Sequence, residues 1–161
     1  MARGQRTDYS IRPSILDRLI DYDPEHEQDE PQTENQILRN IQISVRRDIE
    51  DLLNTRYRCA EWPPQFNGLE DSLVNYGLPD FTAAGLNIVN DNELLTRSIE
   101  DAIRRFEPRL SNVKVERVRG EDAIDRTFRF RILGTLKLES VEQDIRFDSS
   151  LETISGQIEV K

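Results

Sequence analysis

The sequence predicts an α+β fold, with N-terminal helices packed on a C-terminal antiparallel β-meander. Two observations predict it. Apolar residues recur at spacings of three and four from Asn35 to Phe106, and from Val113 onward the period falls to two. A chain of 161 residues has room for one such domain.

The first element is a short helix, Pro13 to Ile20, with Ile15, Leu16, Leu19 and Ile20 on one face. Two or three turns are marginal in isolation, so this amphipathic segment is expected to dock on something. Asp21 to Glu34 follows, with seven acidic residues, two prolines and no Lys or Arg. Like charges repel and proline blocks a helix, so this reads as a solvated linker. The expected organisation is therefore a docking helix (1–20), an acidic linker (21–34) and one α+β domain (35–161).

Asn35 to Arg58 reads as the longest helix, with the stripe Leu38, Ile41, Val45, Ile49, Leu52 and Leu53. Trp62-Pro63-Pro64 begins a connection. Leu69 to Tyr76 suggests a short helix, stopped by Gly77 and Pro79. Asn90 to Glu93 offers N-caps for a second long helix, striped by Leu95, Ile99, Ala102, Ile103 and Phe106 and ended by Pro108. Val113 and Val115 then alternate with Lys114 and Glu116, and Gly120 opens a turn. Phe128, Phe130, Ile132, Leu136 and Leu138 share one parity with Gly134 among them, which marks a half-buried strand with a bend or close approach at the glycine. A third strand is expected from Asp144 to Leu151, and Ser155-Gly156 turns into Gln157 to Val160.

Composition narrows the chemistry. The chain is 36% hydrophobic and 33% charged, with net charge −9, so its core is lean and its surface is suited to assembly. That charge argues against general nucleic-acid binding. A lone Cys59 makes no internal disulfide and fits a reducing compartment. No apolar run reaches the ~18 residues of a membrane span, and the first residues lead into no apolar signal segment. A cytoplasmic protein is expected.

His26 is the sole histidine and lies in the acidic linker, where it would serve badly as a catalytic base. No phosphate loop, dinucleotide fingerprint or His/Cys metal spacing occurs. Glu100, Asp101 and Glu107 raise the possibility of a carboxylate pair that cleaves glycosidic bonds. Each has arginine neighbours (Arg97, Arg104, Arg105, Arg109), which favour ionised, paired carboxylates over the protonated acid a glycosidase needs.

The tripeptide Glu107-Pro108-Arg109 stands out. Proline stops the helix and projects the two charges from a rigid corner, and arginine offers a planar fork of donors. A surface ion pair at a helix stop and a partner-facing contact both fit. Nine basic residues follow between Arg104 and Arg131 against five acids, either an alternating solvated face or a docking surface for an acidic partner.

These residues carry a resemblance. IEDAIRRFEPRL (99–110) is similar to the helix and EPR motif of the phage baseplate wedge proteins labelled lysozyme-like. RRDIEDLLNTR (46–56) and NYGLPD (75–80) resemble the TssE family, the type VI secretion counterpart, and SILDRLID (14–21) is similar to that family's N-terminal helix. The match runs in order over most of the chain and is specific when the motifs are taken together. The acidic linker and the Gly120-to-Asp125 loop depart from the pattern.

The resemblance implies a non-enzymatic subunit of a type VI baseplate wedge, with a sheet like the interlocking fold of sheath subunits. It implies a position beside TssF and TssG, contact with the sheath subunits TssB and TssC and with TssK, and assembly of the first sheath ring on the subunit. It implies a cytoplasmic site in a baseplate docked at the inner membrane, and no cofactor, metal, nucleic acid or small-molecule substrate. The expected protein-binding residues are Glu107, Pro108 and Arg109 with Ile15, Leu16, Leu19 and Ile20. The competing readings are a peptidoglycan-cleaving hydrolase using acidic residues and a nucleic-acid adaptor using the basic strands.

Overall fold

Helices come first and an antiparallel sheet second. The computed structural model describes residues 14–20, 32–57, 65–69, 72–80, 92–118, 127–138, 141–152 and 155–161. His26, Cys59, Trp62-Pro63-Pro64, Asn90-Asp91, the Gly120-to-Asp125 loop and residues 21–31 of the acidic segment lie outside them.

Helix α1 (Ile15–Leu19) is capped by Ser14, whose hydroxyl accepts from the Asp17 amide. Helix α2 (Glu34–Asn54) opens with a capping box in which Thr33 and Gln36 satisfy each other's backbone amides. Its buried face holds Ile37, Ile41, Val45, Ile49, Leu52 and Leu53, the expected stripe shifted to include Ile37, with Leu38 at its edge. One polar residue, Ser44, is buried within that stripe.

Helix α2 stops at Asn54, short of the expected Arg58. The Thr55 amide closes the last turn, and the chain then extends into β1 (Arg56–Tyr57). Strand β1 pairs in parallel with β2 (Leu78–Pro79). Gly77 makes that pairing possible. Its φ is +114°, and a Cβ there would lie 2.4 Å from the Thr55 carbonyl oxygen, while the next amide, Leu78, donates to that same oxygen at 2.9 Å. The short helix expected over Leu69 to Tyr76 is instead two single 3-10 turns, Asn67–Leu69 and Leu73–Asn75. Ser72 caps the second turn and so interrupts any longer helix.

Helix α3 (Asn92–Phe106) buries Leu95, Ile99, Ala102 and Ile103, with Phe106 packed beside them, as the spacing predicts. Strands β3 (Leu110–Val118), β4 (Thr127–Leu138), β5 (Val141–Glu152) and β6 (Ile158–Val160) form one antiparallel meander in sequence order. Phe128, Phe130, Ile132 and Leu136 face the core, with Leu138 at its margin. Opposite Gly134 the register slips by one residue between Ser111 and Lys114, and Asn112 takes a left-handed φ of 52°. The expected irregularity at Gly134 is therefore a β-bulge on its neighbour. A Cβ at Gly134 would meet only ordinary contacts, the nearest at 3.5 Å.

The β5–β6 side of the sheet is in two parts. Asn54, the last residue of α2, brackets Ile158 of β6, accepting from its amide at 2.8 Å and donating to its carbonyl at 2.7 Å. Arg46 donates to the Val160 carbonyl at 3.1 Å and Arg56 to that of Gly156 at 2.8 Å. Side chains from α2 and β1 thus occupy the outer edge of β6. Strand β5 is longer than β6, which pairs with it only over Ser149 to Leu151. Among the described residues, no strand lies on the far side of β5 from Val141 to Phe147.

Candidate interaction site at the helix–sheet corner

Pro108 lies between α3 and β3, and the chain turns there with the Leu110 amide donating to the Glu107 carbonyl at 3.1 Å. The turn sets Glu107 and Arg109 side by side. Arg109 Nε donates to Glu107 Oε1 at 2.6 Å, and a second guanidinium nitrogen meets Oε2, a bidentate fork. That same nitrogen reaches Asp48 Oδ2 on α2 at 2.6 Å. The Arg109 carbonyl accepts from the Lys137 amide at 2.8 Å, so the corner also anchors β4.

The expectation that Glu107 projects outward is corrected here. Glu107 is 5% exposed, because the fork folds its carboxylate back over the end of α3 instead of away from it. Arg109 is half-buried and Pro108 is exposed. Burial alone would lower the Arg109 guanidinium, but the Glu107 and Asp48 carboxylates outweigh it and hold the pKa above arginine's ordinary value.

Three sequence motifs converge on this point. Arg47 and Asp48 of RRDIEDLLNTR pair with each other at 2.9 Å, and Asp48 meets Arg109 of EPR. Tyr76 of NYGLPD packs edge-on against Phe106, with ring centroids 5.3 Å apart. Burial raises the Tyr76 hydroxyl, and the nearby charges of Asp51, Asp48 and Glu107 push it the same way. The residues that sequence reasoning missed are Ser44, Arg47 and Asp48. Ser44 carried a signal, being a polar residue set into an apolar stripe.

The docking-helix residues sit beside the same face of α2. Ile15, Leu16 and Leu19 are 70, 56 and 75% exposed, and Ile20 is half-buried. Asp17, on the other side of α1, accepts hydrogen bonds from Ser44 and Arg47. The Arg109 guanidinium lies 3.4 Å from the same Ser44 oxygen. The two groups of expected binding residues therefore meet at one point of α2.

Several of the basic residues are paired within the chain. Arg131 meets Asp148 on β5 at 2.7 Å, Lys114 meets Glu116 at 2.6 Å, and Arg104 binds Glu100. The Arg131–Asp148 pair crosses from β4 to β5, while the other two lie within β3 and within α3. Among the described residues, no group of three or more His, Cys, Asp or Glu is arranged to hold a metal ion. No described helix is long and apolar enough to cross a membrane.

No curated protein and no solved structure matches the chain. A family model does, that of the baseplate wedge protein gp25, over residues 39–141. This span runs from α2 through the corner to the start of β5 and takes in all three converging motifs. The chain belongs to the baseplate wedge protein gp25 family, the family of TssE, and its role is that of a structural baseplate component alongside other baseplate proteins.

Proposed function

We propose that this chain is a non-enzymatic wedge subunit of a type VI secretion baseplate that links the wedge to the contractile sheath and templates the first sheath ring. The observation that carries this reading is the uneven cover of the sheet on its β5–β6 side. The β6 edge is filled by Asn54, Arg46 and Arg56, whereas β5 from Val141 to Phe147 has no strand beside it among the described residues. Backbone polarity alternates along a strand, so Glu142, Asp144 and Arg146 turn their N–H and C=O groups to that side, in phase with Asp148, which bonds Lys161 there. An incoming strand of a sheath subunit, TssB or TssC, would find a row of donors and acceptors at this edge. The charged side chains along it discourage indiscriminate pairing.

The wedge side of the subunit is α1 and the corner. Burying Ile15, Leu16 and Leu19 against TssF or TssG would contribute ~1.5–3 kcal/mol each before the costs of association. Contact with TssK and a cytoplasmic position in a baseplate docked at the inner membrane complete the reading. Hydrolase chemistry finds little support in the geometry. Both Glu107 oxygens are engaged by Arg109, whereas a glycosidase acid needs a carboxyl in an apolar setting with its proton free to transfer.

Affinity capture of the full chain from a host with a contractile system tests the proposal. Wedge and sheath subunits should be recovered together. Arg146→Pro, which removes an outward amide from the open edge, should abolish sheath recovery while leaving the wedge partners bound. Recovery of sheath at wild-type levels with that variant would reject the edge. Clearing of a peptidoglycan suspension by the chain, lost in Glu107→Gln, would reject the non-enzymatic reading.

A further inference from the structure

Helix α1 has no buried residue, yet it lies against the domain. Among the described residues, its hydrogen bonds to the rest of the chain run through one side chain. The two carboxylate oxygens of Asp17 accept from Ser44 Oγ at 2.8 and 2.7 Å, and Oδ1 also accepts from Arg47 at 3.1 Å. Ser14, the cap of α1, donates to Oδ2 at 2.6 Å. The same carboxylate therefore finishes the first turn of α1 and fastens α1 to α2.

The receiving side is built for an anion. Ser44 is 4% exposed, and its oxygen has guanidinium nitrogens of both Arg47 and Arg109 at 3.4 Å. With two donors aimed at its oxygen, the Ser44 hydroxyl hydrogen is left to point at an acceptor. Asp48 and Glu107 balance the two arginines, so the cluster without Asp17 is close to neutral and still presents a hydroxyl and a guanidinium outward. Asp17 supplies the matching carboxylate. Burial opposes its charge, but the hydrogen bonds from Ser14, Ser44 and Arg47 prevail and keep it below the usual carboxylate range.

We infer that Ser44 and Arg47, backed by Arg109, form a carboxylate receptor on α2, and that Asp17 is its resident ligand, latching α1 as a strap over the face next to the Glu107–Arg109 corner. The latch determines two things together: whether Arg47 is covered, and where Ile15, Leu16 and Leu19 are held. It is a contact within the chain and does not depend on the sheath-linking role proposed above.

Hydrogen exchange on the full chain tests the latch, with Asp17→Ala, Ser44→Ala and the double variant beside the wild type. Ser44→Ala is the discriminating change, since it lies 27 residues from Asp17 and leaves the Ser14 cap intact. The amides of Asp17, Arg18 and Ile20, which bond to Ser14 and Leu16, should exchange several-fold faster in either single variant and no faster in the double. Phenylglyoxal should modify Arg47 several-fold faster in Asp17→Ala. Should Ser44→Ala fail to fold, Arg47→Gln at a more exposed position carries the same expectation. Wild-type exchange in the α2 variant, or effects of the two single changes that add in the double, would overturn the latch.

Discussion

The helix–sheet corner and α1 meet at Ser44 of α2 and are held in opposite ways. At the corner, the Glu107–Arg109 fork is mostly buried, shares Asp48 with α2 and carries a backbone bond to β4. Helix α1 rests on one carboxylate, with its apolar residues turned to solvent. The corner has its charges out of water and its backbone committed, so it belongs to the frame of the domain. The strap has one partly buried charge and no buried apolar side chain, which is the condition for coming off.

The comparison breaks most sharply at Arg109. Arg109→Ala leaves the Glu107 carboxylate buried without its partner, which should cost about 3 kcal/mol of folding stability. An unfolding free energy within about 1 kcal/mol of wild type in chemical denaturation would instead mark the corner as a surface ion pair. Gly77→Ala tests the neighbouring loop that presses NYGLPD onto α2. Its positive φ and a Cβ 2.4 Å from a carbonyl oxygen should cost about 2 kcal/mol or more, read in the same titration.

Asn54→Ala removes both bonds to Ile158 and should cost about 1–2 kcal/mol, with faster amide exchange in β6 while β3 and β4 keep their protection. The smallest global effect belongs to the strap. Asp17→Asn should change global stability by less than about 1 kcal/mol, all of its visible consequence being local to α1.

Acid sharpens the same contrast. Asp17 has a lowered pKa in the folded chain, so its contribution is present above the ordinary carboxylate value and is lost as pH falls through the lowered one. The groups around it are Arg47 and Arg109, which stay charged, and Asp48 and Glu107, both tied to arginine. Protection at residues 14–20, corrected for the intrinsic pH dependence of exchange, should therefore hold from pH 7 to about 5 and fall below about pH 4. Strap amides that detach at neutral pH would mean that Asp17 is not what holds them.

The sequence made the sheet legible because its period is short and local. The parity of Phe128, Phe130, Ile132 and Leu136 needs only neighbours to be read, and so does the stripe of α3. The ends of elements are less legible. Nothing local forbids a helix as far as Arg58, while the actual stop depends on Leu78 reaching back to Thr55 from 23 residues away. The corner is legible in the sequence as a motif, but its partner on α2 is not. That Arg109 would find Asp48, 61 residues earlier, is a fact of packing that no spacing rule contains. Pro108 indicated where the chain turns, but which way Glu107 would then point depended on an acceptor-hungry guanidinium two residues on.

The bulge in β3 has a consequence of its own. Leu110 faces the core at an even position, whereas Val113 and Val115 face it at odd ones, and the change of phase falls at Asn112. Strand β3 thus carries a spare residue between its corner half and its sheet half. Excising Asn112 would leave every inward side chain inward, since Leu110, Val113 and Val115 would then alternate without a break. The two halves of this strand are in that sense separate modules joined by a slack stitch, and the tension between corner and sheet can be adjusted there without rewriting the core.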